Sequence, residues 1–551
     1  MVSGTTVAGV IPSGAGLLDR ERIVARPGFN RWLVPPAALA IHLCIGMAYG
    51  FSVFWLPLSR AIGVTAPKTC PDLTLASALF TTTCDWRVAD LGWMYTLFFV
   101  FLGAAAAVFG GWLERAGPRK AGLASALCWC GGMVISAIGI ITHQLWMMWI
   151  GSGVIGGIGL GLGYISPVST LIKWFPDRRG MATGMAIMGF GGGAMIGSPL
   201  ADLLMTHFKT PTSVGVWETF LTMAAIYAVF MAAGAFGYRI PPSGWRPEGW
   251  TQPATGNAMI TTRQVHLRDA HKTAAFWLIW LALCMNVSAG IGVLGIASPM
   301  LQEIFGGRLI GRPDLAFAAL DAGQKAQIAA IAAGFVGLLS LFNIGGRFAW
   351  ASFSDKIGRK NTYYTFFLLG IALYLLAPSA AVGGWLAVFV LAFCLILSMY
   401  GGGFATVPAY LADVFGTQFV GAIHGRLLTA WSTAGIIGPV VVNYIREAQV
   451  QRGVTGAALY SGTMYILAGM LVVGLIANVL VRPLAERWYM RDDEVAALQV
   501  KSTAALSGPT GSFGIGRGGL DAGAAAAWLV VGIPIVWGVW ITLSKAFVLF
   551  R

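Results

Sequence analysis

At 551 residues, 57% hydrophobic and 11% charged, with a mean hydropathy of +0.74, the chain is too apolar for a water-soluble globule, and its apolar runs of about 20 residues read as membrane-spanning helices. Its formal charge of +14 is scattered over short loops rather than gathered in one patch, which excludes a nucleic-acid partner and points to membrane topology. Seven cysteines without CxxC or Cys/His spacing give no metal site, and no nucleophile–base pair or nucleotide motif calls for an enzyme or a cofactor.

Residues 1–31 are polar and carry Arg20, Arg22, Arg26 and Arg31. They lack an apolar core followed by a small-residue cleavage site, so they read as a cytoplasmic tail. Six spans follow within 32–238, near 32–57, 91–113, 121–142, 145–170, 181–205 and 215–238. The first carries His42 on an apolar face and Tyr49 at mid-helix, and the fourth carries Tyr164. Between the first two spans, the outward loop from Gly63 to Asp90 holds Cys70 and Cys84, for which a disulfide is allowed in an oxidising compartment. The other five cysteines fall in apolar spans.

Residues 239–273, with Pro241-Pro242, Gly244 and Pro247, read as a cytoplasmic linker to a second half at 274–482. That half has spans near 274–300, 327–353, 362–380, 385–411, 423–445 and 459–482, with Tyr400 in the tenth and Trp431 in the eleventh. Beyond it, 483–523 reads as a flexible tail, whose GxGxxG at Gly514 to Gly519 follows no strand and carries no phosphate-loop reading. Residues 524–550 read as an additional membrane helix, with a re-entrant or surface helix as the alternative because of Pro534 and Lys545. With the N-terminus cytoplasmic, the outer side holds Arg60, Lys68, Arg87, Lys209, Arg308, Arg312, Lys325, Arg446 and Arg452, and most of the 36 lysines and arginines lie inside.

Shifting the chain by 241 positions aligns Glu114 with Asp355, Gly117 with Gly358, Gly161 with Gly402, Pro167 with Pro408, Gly180 with Gly421 and Gly197 with Gly438. Parallel six-helix repeats of this kind place a substrate site near the midplane between the halves. Arg347 breaks the symmetry, since it falls opposite Ala106. It lies eight residues before Asp355, roughly 12 Å up the helix and therefore inside the bilayer. An arginine there costs on the order of 2.5–3.5 kcal/mol on insertion scales, so it faces a cavity, a partner or a substrate anion rather than lipid. Asn343, one turn earlier, shares its face. A structural arginine bonded to carbonyls is the alternative to an anion site.

The stretches GGWLERAGPRK (110–120) and ASFSDKIGRK (351–360) resemble the loop signature of the major facilitator superfamily, with Glu114 standing for Asp in the first copy. The resemblance implies two six-helix halves, an all-α membrane fold, and gating contacts by Glu114, Arg115, Asp355 and Arg359. YGFSVFWLPLS (49–59), FNIGGR (342–347) and FGTQFVGAIHGRLLTAWSTAGIIGP (415–439) are similar to the oxalate/formate antiporter family and its lactate and pyruvate relatives. In that family an arginine of helix 8 binds the carboxylate, which implies Arg347 here, with Asn343 beside it. The oxalate carrier's second cation, a lysine of helix 11, aligns with Trp431.

One buried arginine suits one carboxylate, because a dianion would stay half unpaired. The expected substrate is therefore a small monocarboxylate such as lactate, pyruvate or formate, with oxalate:formate exchange as the alternative. Tyr49, Tyr164 and Tyr400 are candidate hydrogen-bond donors to it, and His42 is a candidate coupling residue if a proton rather than a counter-anion is the co-substrate. The expected setting is a bacterial inner membrane and a monomer. The competing class is a non-transporting sensor on the same fold. The segment 524–550 resembles the single-span companion subunits of some carriers of this family, here fused to the chain.

Overall fold

A computed structural model describes residues 16–64, 68–70, 74–242, 245–248, 259–497 and 521–546. Without water to satisfy amide groups, each apolar run closes its own hydrogen bonds as a helix. The long helices are α1 (Val34–Ile45), α2 (Val88–Ala116), α3 (Pro118–Ile141), α4 (Leu145–Trp174), α5 (Arg179–Phe208) and α6 (Val216–Gly237), then α7 (Ala274–Leu309), α8 (Ala322–Ile357), α9 (Arg359–Val382) and α10 (Leu386–Phe415). They are completed by α11 (Val420–Leu427 and Thr429–Gln451), α12 (Ala458–Leu480) and α13 (Ala522–Ala546). Among the described residues twelve helices are long and apolar enough to cross a membrane, α13 included. The fold is all-α, and the only strand-like pairings among the described residues are two isolated bridges, Val24 to Ile240 and Val265 to Tyr489.

Three helices depart from the simple spans that hydropathy predicts. The first turns into a 3₁₀ helix over Gly46–Phe54, where Gly46 and Gly193 let α1 and α5 approach backbone to backbone. α4 is a π-helix over Trp149–Gly156, and α11 breaks at Leu428. Such irregular turns inside membrane helices are tolerated where neighbouring protein rather than lipid surrounds them. Elsewhere local chemistry sets the ends. Asp321 and Gln324 form a capping box that starts α8, and Gly117 and Gly358, both at φ +86°, end α2 and α8 in the left-handed region.

Within the first half α1 packs on α5 and α3 on α6; within the second, α8 packs on α10, α7 on α11 and α9 on α12. The halves meet along two seams related by the repeat, α5 against α8 and α2 against α11, and α5 also touches α10. Described segments outside the helical bundle dock against it. Asp19 pairs with Lys120, Arg31 with Asp177, and the linker joins the second half through Thr261 N–H to the Asp413 carbonyl at 2.8 Å. The described start of the 483–523 segment lies against the linker. Residues Glu486–Trp488 form a 3₁₀ turn, Tyr489 bridges to Val265, and Met490 N–H donates to the Gln264 carbonyl at 2.8 Å. Residues 498–520, including the GxGxxG stretch, lie outside the described residues, as does Arg551.

On the opposite face Cys70 and Cys84 are joined, with Cα atoms 5.8 Å apart. Asp85 ties the same loop by accepting from the N–H groups of Ile62, Gly63 and Lys68, and the Trp86 ring stacks on His143 at 3.9 Å. α13 lies across the α5–α8 seam and also touches α1. Val531 packs with Leu39 and Ala40, Gly538 faces Met195, Thr542 faces Gly337, and Asn30 donates to Asp521 at 3.0 Å.

Candidate functional site

Arg347 is fully buried in α8, three turns from the end of the helix. Glycines make the room for it: Gly184 of α5 faces the Arg347 carbonyl, Gly191 faces Nε at 3.1 Å from its would-be Cβ, and Gly401 of α10 abuts Asn343. Nε donates to Asn343 Oδ1 at 3.1 Å and Nη1 to the Ile187 carbonyl at 3.3 Å, across the seam. Nη2 has no partner, and among the described residues no carboxylate pairs with this guanidinium. Cζ lies 5.3 Å from the Phe404 ring centroid.

Around the guanidinium stands a box of rings drawn from both halves. The Trp431 ring, just past the break in α11, has its centroid 4.4 Å from Phe404, 5.3 Å from Tyr164 and from Phe190, 5.5 Å from Phe99 and 6.1 Å from Tyr49. Tyr49, in the 3₁₀ stretch, and Tyr400 of α10 bring their hydroxyls to 3.3 Å of each other. Tyr49, Tyr164, Tyr400 and His42 all lie within electrostatic reach of Arg347. Tyr164 Oη and Trp431 Nε1 are buried without partners. Three donors that make no hydrogen bond, one of them cationic, therefore belong to one cluster of rings. Unmet buried donors are costly and are resolved when an acceptor enters.

The sequence-selected residues thus divide. Arg347, Asn343, Tyr49, Tyr164, Tyr400 and Trp431 come together; Trp431 is a wall of the box, on which five other rings rest. His42 lies between the carbonyls of Ala186, met by Nδ1, and of Tyr164, 3.3 Å from Nε2; a neutral imidazole donates to only one of them, and the shorter contact, to Ala186, ties α1 to α5. The end of the molecule opposite the disulfide carries the gating candidates. Asp355 accepts from the N–H groups of Gly180 and Met181 at 2.8 and 2.9 Å, capping the N-terminus of α5 across the seam, and pairs with Arg359 at 2.6 Å. Glu114 accepts from Ser169 at 2.9 Å and Lys173 at 2.7 Å, and a Cβ on Gly421 at the start of α11 would stand 2.7 Å from its Oε1. Arg115 is exposed and makes no ion pair among the described residues.

Two contributors were not legible in the sequence. Asp413, near the end of α10, binds both Arg179 at 3.1 Å and Arg359 at 3.3 Å and so bridges the halves beside Asp355. Its signal was weak: a lone acid in LADVF, two residues from the end of an apolar run. His424 of α11, fully buried, places its ring 5.9 Å from Tyr164, with both nitrogens unpartnered. Among the described residues no group of three or more His, Cys, Asp or Glu side chains is arranged to hold a metal ion.

Comparison with known proteins agrees with this architecture. Residues 38–439 match the family model described as Major Facilitator Superfamily. The oxalate:formate antiporter of Oxalobacter formigenes is 26% identical over 415 residues, covering 74% of this chain and 83% of its own. Human monocarboxylate transporter 11 is 24% identical over 453 residues, covering 81% and 82%. The crystal structure of the E. coli fucose:proton symporter is similar in fold, with a TM-score of 0.54 at 13% identity, covering 82% of this chain and all of the symporter chain.

Proposed function

The chain belongs to the major facilitator superfamily, and from that premise we propose that it carries small monocarboxylates of the lactate, pyruvate and formate kind across the membrane by alternating access. The observation that carries this reading is the state of Arg347: one buried cation, with Nη2 unmet, beside an aromatic box whose other unmet groups, Tyr164 Oη and Trp431 Nε1, are uncharged donors. A single carboxylate satisfies the cation. A second carboxylate would find only rings and neutral hydroxyls, and its desolvation would go uncompensated. The box admits a short substrate whose other end is apolar or bears a hydroxyl or keto oxygen.

In this reading Arg347 anchors the carboxylate, Asn343 holds Nε so that the outer edge of the guanidinium faces the substrate, and Tyr49, Tyr164 and Tyr400 offer hydroxyls. The latch face is cytoplasmic, in keeping with the distribution of basic residues, and the setting is a bacterial inner membrane. Opening that face separates Asp355 from the α5 N-terminus and Arg179 from Asp413, and the ties to Gly180, Met181 and Asp413 re-form when it closes.

The test is counterflow in proteoliposomes loaded with unlabelled lactate, pyruvate or formate. Labelled monocarboxylate should exchange, and oxalate should compete weakly. Strong oxalate competition would overturn the monocarboxylate assignment in favour of oxalate:formate exchange, the activity named for the relative from Oxalobacter formigenes. Counterflow of none of these acids would favour a non-transporting sensor.

A further inference from the structure

We propose that His424 is the proton-binding group that couples carboxylate movement to protons, an inference that rests on the carboxylate reading above and adds the co-substrate to it. The imidazole sits on the short first segment of α11, one turn beyond Gly421 at the latch and two turns before Trp431 in the box. It is fully buried, and neither Nδ1 nor Nε2 has a protein partner. A dry imidazole that satisfies neither nitrogen is costly, so some state of the working carrier supplies what this one lacks.

The repeat shows why the ring is free. At the 241-residue offset His424 stands opposite Thr183, and Tyr164 opposite Ala405. Thr183 Oγ1 donates across the seam to the Ala405 carbonyl at 2.7 Å. The matching bond on the other seam would run from His424 to the Tyr164 carbonyl, but that carbonyl already faces Nε2 of His42 at 3.3 Å. One side of the molecule therefore has a fixed bond between halves, and the other has an unattached imidazole at the surface where the halves must part. Its ring packs on Tyr164 while both nitrogens stay unused, which suits it to taking up a proton.

Several of the charged and titratable groups on the elements packed against this segment are already paired: Arg426 on the segment itself binds the Leu267 carbonyl and His271, and Asp413 of α10 pairs with Arg179 and Arg359. From α1 comes His42, within electrostatic reach but held by two carbonyls; from α4 comes Tyr164, with its own hydroxyl unmet. From α2, one turn nearer the latch, comes Glu114, already paired with Lys173 and Ser169. On the far side of Tyr164 lies Arg347 of α8, whose charge is unneutralised while the site is empty. Tyr164 links the two positions, its ring packing on His424 and its hydroxyl within electrostatic reach of Arg347, so the guanidinium opposes a second positive charge across Tyr164 and a bound carboxylate weakens that opposition. Anion and proton therefore enter together: A⁻ on Arg347, H⁺ on a nitrogen of His424. The site carries one net positive charge both empty and loaded, and no covalent bond is made or broken. When the latch opens, α11 moves away from Glu114 and α4, water reaches His424, and proton and carboxylate leave on the same side.

The experiment uses the full-length protein in vesicles with a trapped pH dye, labelled pyruvate outside, and protein-free vesicles as the baseline. In the wild type each carboxylate taken up should bring one proton, and pyruvate should bind up to about tenfold tighter for each pH unit of acidification across the imidazole's titration. His424→Gln keeps a polar side chain of similar size. It should still exchange pyruvate, at a reduced rate, while proton entry falls at least tenfold and the pH dependence of binding flattens; His42→Gln should retain both. Wild-type counterflow without proton entry overturns the coupling and leaves the carboxylate reading intact, whereas absence of wild-type counterflow overturns that reading itself. Unaltered proton stoichiometry in His424→Gln overturns the assignment. So does loss of exchange together with proton entry in both His424→Gln and His424→Asn, which would make His424 a substrate ligand or a packing residue.

Discussion

Arg347 keeps one of its two terminal nitrogens free only because its other donors are occupied from inside the protein, by Asn343 and by the Ile187 carbonyl. That arrangement fixes the plane of the guanidinium, and a lysine cannot reproduce it. Arg347→Lys should therefore lower substrate affinity by about tenfold or more although the charge is kept, and Arg347→Gln should abolish specific binding, both measurable as counterflow and competition in vesicles. Retained affinity in Arg347→Gln would remove the residue from the site. Trp431→Lys tests the other wall. A second cation should weaken pyruvate or lactate transport, since a monoanion leaves it unpaired, and should strengthen competition by oxalate. Arg347 was visible in the sequence because a charge in an apolar run has few explanations. His424 was not, because a histidine in an apolar run usually marks packing, and nothing local distinguishes it from His42, whose two carbonyl contacts come from α4 and α5. Only the offset to Thr183 held a clue, and it gains meaning once the Ala405 and Tyr164 carbonyls are located.

At the level of elements the proposed latch rests on a helix end. Asp355 meets the free N–H groups of Gly180 and Met181 and the positive end of the α5 dipole, an interaction of about 0.3–1 kcal/mol at a partly exposed site. Asp355→Asn should leave insertion intact and shift the carrier about two- to fivefold toward the state open on that face, read as faster labelling of cysteines introduced beneath the latch. Unchanged labelling and unchanged transport would reduce Asp355 to a topology signal. Gly180→Val should act in the same direction more strongly, because a Cβ there meets the Ala351 carbonyl and stands 2.8 Å from Arg359 Nη1. The glycine turns after α2 and α8 could be read in advance, since a left-handed residue between an acid and a basic cluster has a local cause. The 3₁₀ stretch that carries Tyr49 could not. It exists because α1 and α5 touch through Gly46 and Gly193, and neither glycine announces its partner in the sequence.

Over the whole molecule the two seams are not equal. Hydropathy and the repeat predict the halves and an extra apolar helix, but they carry no information on where that helix rests, since its outward residues such as Leu529, Val536 and Trp540 are apolar all round. It lies along α5 and α8 and leaves the related pair, α2 and α11, uncovered. In mechanical terms the proposed carrier resembles a book with a bound spine: α13 is taped over one edge, and the expected motion is a pivot about the α5–α8 line that opens the fore-edge formed by α2 and α11. Arg347 lies near the spine, where displacement is small, and His424 near the fore-edge, where it is large. Removing residues 521–551 should free the spine. Distances between probes across α5 and α8 should then broaden while those across α2 and α11 change little, and a broadening of equal size at both seams would show that α13 tapes neither.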